Sequence, residues 1–238
     1  MTFRPDSSFS LVSPHISDRL PSSDTPIKLG ILASGNGSNF EAIAQAIENG
    51  QINAQIPVLI YNNPGAKAAT RAANRGVETV LLNHREYKKR ETLDQQIVQT
   101  LRQHDVDLVI LAGWMRLVTS VLIDAFPNRI INIHPSLLPS FKGLHAVEQA
   151  LQAKVTITGC TVHLVCLEVD SGPILMQAAV PVFPDDTPET LHARIQIQEH
   201  RILPQAIAIA ASQISHQNQA PTNGIRGYKN EVRLRGLT

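Results

Sequence analysis

Asn132 and His134 stand two residues apart in the run Asn132-Ile133-His134-Pro135-Ser136-Leu137-Leu138-Pro139, at the end of a β-like apolar segment. Side chains on a strand alternate between faces, so this spacing aims an amide and an imidazole into the same space. Amide N–H groups suit a carbonyl oxygen that gains negative charge, and an imidazole can stand beside it as cation or proton carrier. A capping Asn next to a half-buried His would look the same, so the pair names a chemistry without fixing it. Asp170 lies in Val169-Asp170-Ser171-Gly172-Pro173, a turn composition in which Asp commonly bonds its own backbone. If that turn folds over the crevice, its carboxylate meets His134 and favours the charged ring.

A second candidate is Ser34-Gly35-Asn36-Gly37-Ser38-Asn39, between the first long apolar segment and a helical stretch. N–H groups at a helix start favour an anion, and small residues let a phosphate approach. Phe40 occupies the place of the third Gly of a dinucleotide fingerprint, and no Gly-Lys-Ser/Thr follows, so a single phosphate is the natural ligand. A plain connecting turn is the alternative. No metal is expected. In a continuous strand, His163 would point away from Cys160 and Cys166, no His-Glu-x-x-His occurs, and His145 follows a Gly-Leu pair that suits a helix start. The two thiols, parallel on one strand, would not form a disulfide, which is compatible with a reducing compartment.

The elements that must position these residues alternate from Ile27 onward. Strands are expected at Ile27–Ala33, Ile56–Tyr61, Val77–Leu82, Asp107–Ala112 and Arg129–Ile133, with helices at Asn39–Asn49, Ala66–Arg75, Arg85–His104 and Thr119–Phe126. The pattern predicts a single-domain α/β fold, a doubly wound mostly parallel sheet that binds ligands beyond the carboxyl ends of its strands. Val155–Glu168 and Ile174–Val182, joined by the Asp170 turn, predict an antiparallel edge addition, and Thr187–Gln213 an amphipathic closing helix. Residues 27–213 then form the domain, residues 1–26 a Ser/Pro-rich disordered extension and residues 214–238 a flexible tail.

The 238 residues carry 21 Lys and Arg against 20 Asp and Glu, with no basic stripe, so nucleic acid is not expected as a partner. Apolar runs such as Leu108–Ala112 fall short of the ~20 residues that span a bilayer, so no membrane segment is expected and the chain reads as cytoplasmic.

The Ser-Gly-Asn-Gly-Ser-Asn loop, Ala112-Gly113-Trp114-Met115-Arg116, Asn-Ile-His-Pro-Ser-Leu-Leu-Pro and Asp-Ser-Gly-Pro together resemble the folate-dependent formyltransferases. Within them the likeness is to the phosphoribosylglycinamide formyltransferase family, from about Ile27 to Ser212. The resemblance implies transfer of the formyl group of 10-formyltetrahydrofolate to the amine of glycinamide ribonucleotide in purine biosynthesis, with small-molecule substrates and a monomer or weak homodimer. It implies Asn132, His134 and Asp170 as the catalytic set and Gly37, Ser38 and Asn39 as the phosphate cradle. Gln196 and Glu199 match groups holding the ribose or glycinamide part. Met115, Arg116, Leu117 and Val118, with Asn132, match the folate pocket, and Arg90 the position that meets the folate's glutamate tail. Many members carry Asp-Gly-Gly-Pro where this chain has Ser171. A formyltetrahydrofolate deformylase, a formyltransferase acting on a nucleotide sugar and a catalytically silent binding module stay open as alternatives.

Overall fold

A strand covered on both faces needs a near-continuous apolar run, and 27–33, 57–60 and 108–111 supply such runs. The computed structural model describes residues 11–14 and 25–219. Its elements are, in order, β1 (Leu11–Ser13), β2 (Ile27–Ala33), α1 (Ser38–Glu48), β3 (Ala54–Tyr61), α2 (Lys67–Asn74), β4 (Glu78–Leu81), α3 (Arg90–Gln103), β5 (Leu108–Leu111), α4 (Ser120–Ala125), β6 (Ile130–His134), α5 (Ala146–Gln152), β7 (Ile157–Leu164), β8 (Ile174–Pro181) and α6 (Pro188–Gln219). The strands form one eight-stranded sheet in the order β1-β8-β7-β6-β5-β2-β3-β4. Strands β4, β3, β2, β5 and β6 run parallel, and β7, β8 and β1 continue antiparallel. This is the expected doubly wound α/β sheet with its antiparallel addition.

Neighbouring residues of β2 feed opposite faces. Leu29 and Ile31 pack with Phe40 and Ile43 of α1, Ala68 and Ala72 of α2, and Leu191, Ile195, Ile202 and Ala206 of α6. Leu32 packs on the other side with Leu93, Ile97 and Leu101 of α3 and Leu122 of α4. Each fully buried Leu or Ile side chain stabilises the fold by roughly 1.5–3 kcal/mol. From β2 the chain winds outward through β3 and β4, and α3 then carries it back to β5 on the other side of β2. The winding reverses between β2 and β5, and a ligand crevice opens at such a point.

Several local expectations change. β7 stops at Leu164 instead of running to Glu168, because Leu164 N–H donates to Pro173 O at 2.9 Å and closes the Asp170 turn. A Cβ on Gly172 would lie 1.8 Å from Leu164 O, so the turn closes only with glycine there. Cys166 therefore leaves the strand and does not share a face with Cys160, and both thiols are free. The helix expected from Arg85 starts at Arg90. Asn83 accepts the Arg85 N–H at 3.3 Å in a separate 3-10 turn over His84–Glu86, and Tyr87 and Lys89 are extended. The helix start expected at the Gly-Leu pair is that of α5, with His145 at its amino-terminal cap. Within the amino-terminal extension, Leu11–Ser13 pairs with β8, and α6 runs on to Gln219, past the expected boundary at 213. The rest of the extension and tail lies outside the described residues. Among the described residues no helix is long and apolar enough to cross a membrane.

Candidate active site

Strand β6 delivers Asn132 and His134 to the carboxyl edge of the sheet, two strands from the phosphate loop. The Asp170 turn folds back onto them. Asp170 Oδ2 lies 3.4 Å from His134 Nδ1 and accepts the Gly143 N–H at 2.8 Å, while Oδ1 accepts from Asn132 Nδ2 at 3.4 Å. On its other side the His134 ring meets Phe141 O, 2.8 Å from Nε2. Both ring nitrogens face acceptors, an arrangement that only the doubly protonated ring fills completely.

His163 completes this cluster. Antiparallel pairing sets it opposite Asn132, with Nε2 3.2 Å from Asn132 Nδ2 and 3.5 Å from Asp170 Oδ1. Its Nδ1 faces Leu164 O at 2.9 Å. Nε2 bonds Asn132 as an acceptor or Asp170 as a donor according to the ring's tautomer, and in either form it ties His163 into the cluster. Burial would raise the Asp170 carboxyl, but the bonds from His163 and the Gly143 N–H and the charges of His134 and His163 outweigh it, and its pKa falls below the usual carboxylate value. His163 escapes sequence reasoning because the register between β6 and β7 is set by packing over a long connection.

Ser171, which departs from the commoner glycine, bonds Val169 O at 2.9 Å and takes Lys142 Nζ at 2.5 Å. It ties the Asp170 turn to the loop that supplies Gly143. The stretch after His134 is held through Thr161, whose hydroxyl donates to Ser136 O at 2.7 Å and accepts from Leu138 N–H at 3.0 Å. Gln177 Nε2 reaches Leu138 O and Thr161 Oγ1, both at 3.0 Å.

Across the crevice, the loop after β2 enters α1 through Gly37 at φ +74, where a Cβ would sit 2.6 Å from Ala68 Cα. Both facts require glycine. The N–H groups of Ser38 and Asn39 have no partner among the described residues, as expected at a helix start prepared for an anion. Gln196 and Glu199 of α6 reach this cradle by its side chains. Gln196 Nε2 donates to Ser38 Oγ at 2.9 Å, and Asn39 Nδ2 donates to Glu199 Oε2 at 3.1 Å. Burial raises the Glu199 pKa, against the smaller opposing pulls of the Asn39 N–H and His192. Asn39 Oδ1 is buried without a partner.

Between the two halves, the 112–118 loop is tied to the phosphate loop by Met115 N–H on Ser34 Oγ at 2.9 Å and Ser34 N–H on Gly113 O at 3.1 Å. Met115 and Leu117 are exposed, and Val118 packs on an apolar floor that includes Leu111 and Ile130. An exposed apolar ledge beside buried polar groups is the kind of surface that takes a ligand's apolar face. Arg116 is half-buried. Arg90 opens α3, exposed, and no hydrogen bond or ion pair among the described residues joins it to the other site residues. Among the described residues no group of three or more His, Cys, Asp or Glu is placed to hold a metal ion.

The crevice thus offers an anion cradle at one end, a carboxylate–imidazole–amide cluster at the other and an apolar ledge between. Comparison with known proteins finds relatives over most of the chain. The formyl transferase family profile matches residues 27–207. The Bacillus subtilis (strain 168) phosphoribosylglycinamide formyltransferase is 41% identical over 180 residues, 76% of this chain and 92% of that protein. The human trifunctional purine biosynthetic protein adenosine-3 is 42% identical over 185 residues, 78% of this chain, which spans only 18% of that longer protein. The crystal structure of glycinamide ribonucleotide transformylase 1 from Symbiobacterium toebii superposes with a TM-score of 0.78 at 45% identity, covering 80% of this chain and 90% of that one.

Proposed function

This chain belongs to the formyl transferase family, and from that membership we propose that it is a phosphoribosylglycinamide formyltransferase. It moves the formyl group of 10-formyltetrahydrofolate to the amine of glycinamide ribonucleotide in purine biosynthesis, giving N-formylglycinamide ribonucleotide and tetrahydrofolate. The observation that carries this reading is the placement of Asp170, His134 and Asn132 across one crevice from a helix start with free N–H groups. A phosphate seated on Gly37, Ser38 and Asn39 leaves the rest of a small ribonucleotide to extend toward the cluster. Gln196 and Glu199 act on that substrate through the cradle side chains they hold. The donor lies on the ledge of Met115, Arg116, Leu117 and Val118, and Arg90 meets its glutamate tail. Both substrates are small molecules, the enzyme works in the cytoplasm as a monomer or weak homodimer, and no metal takes part.

The neutral amine attacks the formyl carbon, and negative charge develops on the formyl oxygen. Asn132 turns one of its two N–H groups to that oxygen while the other stays with the His163 and Asp170 pair, and the His134 cation lies beside it. Asp170 holds His134 in its charged form and orders a water. Through that water the amine's proton passes to the departing folate nitrogen as the old carbon–nitrogen bond breaks and the new one remains. Mass spectrometry of a reaction containing purified protein, donor and glycinamide ribonucleotide is expected to find the formylated ribonucleotide. Finding formate with unmodified ribonucleotide would replace transfer with hydrolysis.

A further inference from the structure

Helix α2 stands behind the phosphate loop and holds it by its carbonyl groups. Ala68 N–H donates to Gly35 O at 3.1 Å, and Arg71 Nε donates to Asn36 O at 2.9 Å. These peptides are trans, and in a trans peptide the C=O and N–H point in opposite directions. Two carbonyls turned toward α2 therefore turn the N–H groups of Asn36 and Gly37 away from it. Neither N–H has a partner among the described residues. The close approach of Gly37 to Ala68 leaves no side-chain volume between loop and helix, so the orientation of the peptide planes rests on these two bonds.

The same guanidinium looks toward an acidic group. Glu41, in the first turn of α1, places Oε2 3.9 Å from Arg71 Nη1 and is also bonded by Arg75, which pairs with Glu48 as well. The Arg75 hydrogen bond, opposed by partial burial and helped by the charges of Arg75 and Arg71, keeps the Glu41 carboxyl below its usual range. A carboxylate at the start of α1 would repel a phosphate, and Arg71 of α2 with Arg75 at that helix's carboxyl cap offsets it.

We propose that Arg71 is a positioning residue of the phosphate cradle: by fixing the Asn36 carbonyl on α2 it aims the loop N–H groups at the phosphate of the ribonucleotide without touching that phosphate. This role rests on the ribonucleotide reading of the site. Arg71 belongs neither to the catalytic cluster nor to the residues that contact substrate, so its loss acts on one substrate's binding and spares the chemistry.

The test measures steady-state kinetics with glycinamide ribonucleotide varied, and inhibition by inorganic phosphate, in wild type, Arg71→Met, Arg71→Lys and the double variant Arg71→Met with Glu41→Gln. Arg71→Met is expected to raise the ribonucleotide KM and the phosphate inhibition constant together by about tenfold, the size of one lost hydrogen bond to a charged group. The kcat and the donor KM stay within about twofold of wild type, since one bond remote from the reacting atoms affects binding alone. Arg71→Lys recovers only part of the loss, because a point cation lacks the guanidinium's fork. Glu41→Gln recovers none of it. An unchanged ribonucleotide KM, a loss that falls on kcat or the donor KM, or full recovery with Glu41→Gln would overturn the proposal, the last by making Arg71 only a shield for Glu41. Wild-type turnover of the ribonucleotide with no competition from phosphate would instead remove the cradle itself, and failure of wild type to use the ribonucleotide would remove the functional reading.

Discussion

The two ends of the crevice hold their polar groups in opposite ways. At the β6–β7 end, Asp170, His134, His163 and the Asn132 amide face one another across 3.2–3.5 Å, and the anchors are single backbone groups such as Gly143 N–H and Phe141 O. At the α1 end the groups proposed to meet the phosphate are backbone N–H donors, braced from behind by Gln196, Glu199 and α2. A cluster of charges that can shift by fractions of an ångström suits a reaction in which charge appears and disappears. A fixed array of dipoles suits a phosphate whose charge never changes. Changes at the first end should therefore appear in kcat, and changes at the second in the ribonucleotide KM.

The sharpest way to break that division is His134→Ala or Asn132→Ala, each expected to lower kcat about a hundred- to a thousandfold with the fold intact, as loss of one oxyanion donor does. Near-normal turnover in either would remove these residues from the chemistry. Asp170→Asn is expected to lower kcat about a hundredfold, because the ring beside the formyl oxygen loses its counter-charge. An unchanged kcat would leave Asp170 a purely structural turn residue. The same variant tests stability. The native Asp170 carboxyl titrates below the unfolded value of about 3.9, so it contributes stability that is present above that pH and lost as pH falls through the native value. Thermal melts of wild type and variant should converge at the acid end.

At the other end, Gly37→Ala is expected to raise the ribonucleotide KM by at least about tenfold, since a left-handed residue and a blocked Cβ cost about 1–3 kcal/mol. A change confined to kcat would contradict the division. The smallest effect is expected from Glu199→Gln. The Glu199 carboxyl is raised by burial, so the folded state binds a proton more tightly than the unfolded state and stability falls as pH climbs from the unfolded value toward the native one. Gln keeps an acceptor for Asn39 and carries no charge. Its melting temperature should match wild type at low pH and gain on it as pH rises, and the reverse trend would mean that an ionised Glu199 is held favourably.

Much of this was legible before any coordinates. The apolar runs of β2, β3 and β5 and the loops after them follow from composition and period, because a buried parallel strand has few alternatives. Asn132 and His134 stand out by residue type and a two-residue spacing and Asp170 by its turn, while the resemblance to the formyltransferases joins the three. His163 was seen and set aside as a failed metal ligand, because its role depends on strand register, which local patterning does not encode. The break of β7 at Leu164 was missed for a related reason: Val165 and Cys166 continue an apolar pattern, and what ends the strand is the return of Pro173 to Leu164. Gln196 and Glu199 lie three residues apart in the expected closing helix and so share a face, but their contacts with Ser38 and Asn39 span 158 and 160 residues and depend on how α6 crosses α1.

The most direct test is the absorbance change on deformylation of a 10-formylfolate donor by the purified protein, recorded with glycinamide ribonucleotide present and then omitted. Turnover that requires the ribonucleotide is the predicted result; equal release of deformylated folate without it would contradict the account and make the pocket a hydrolase.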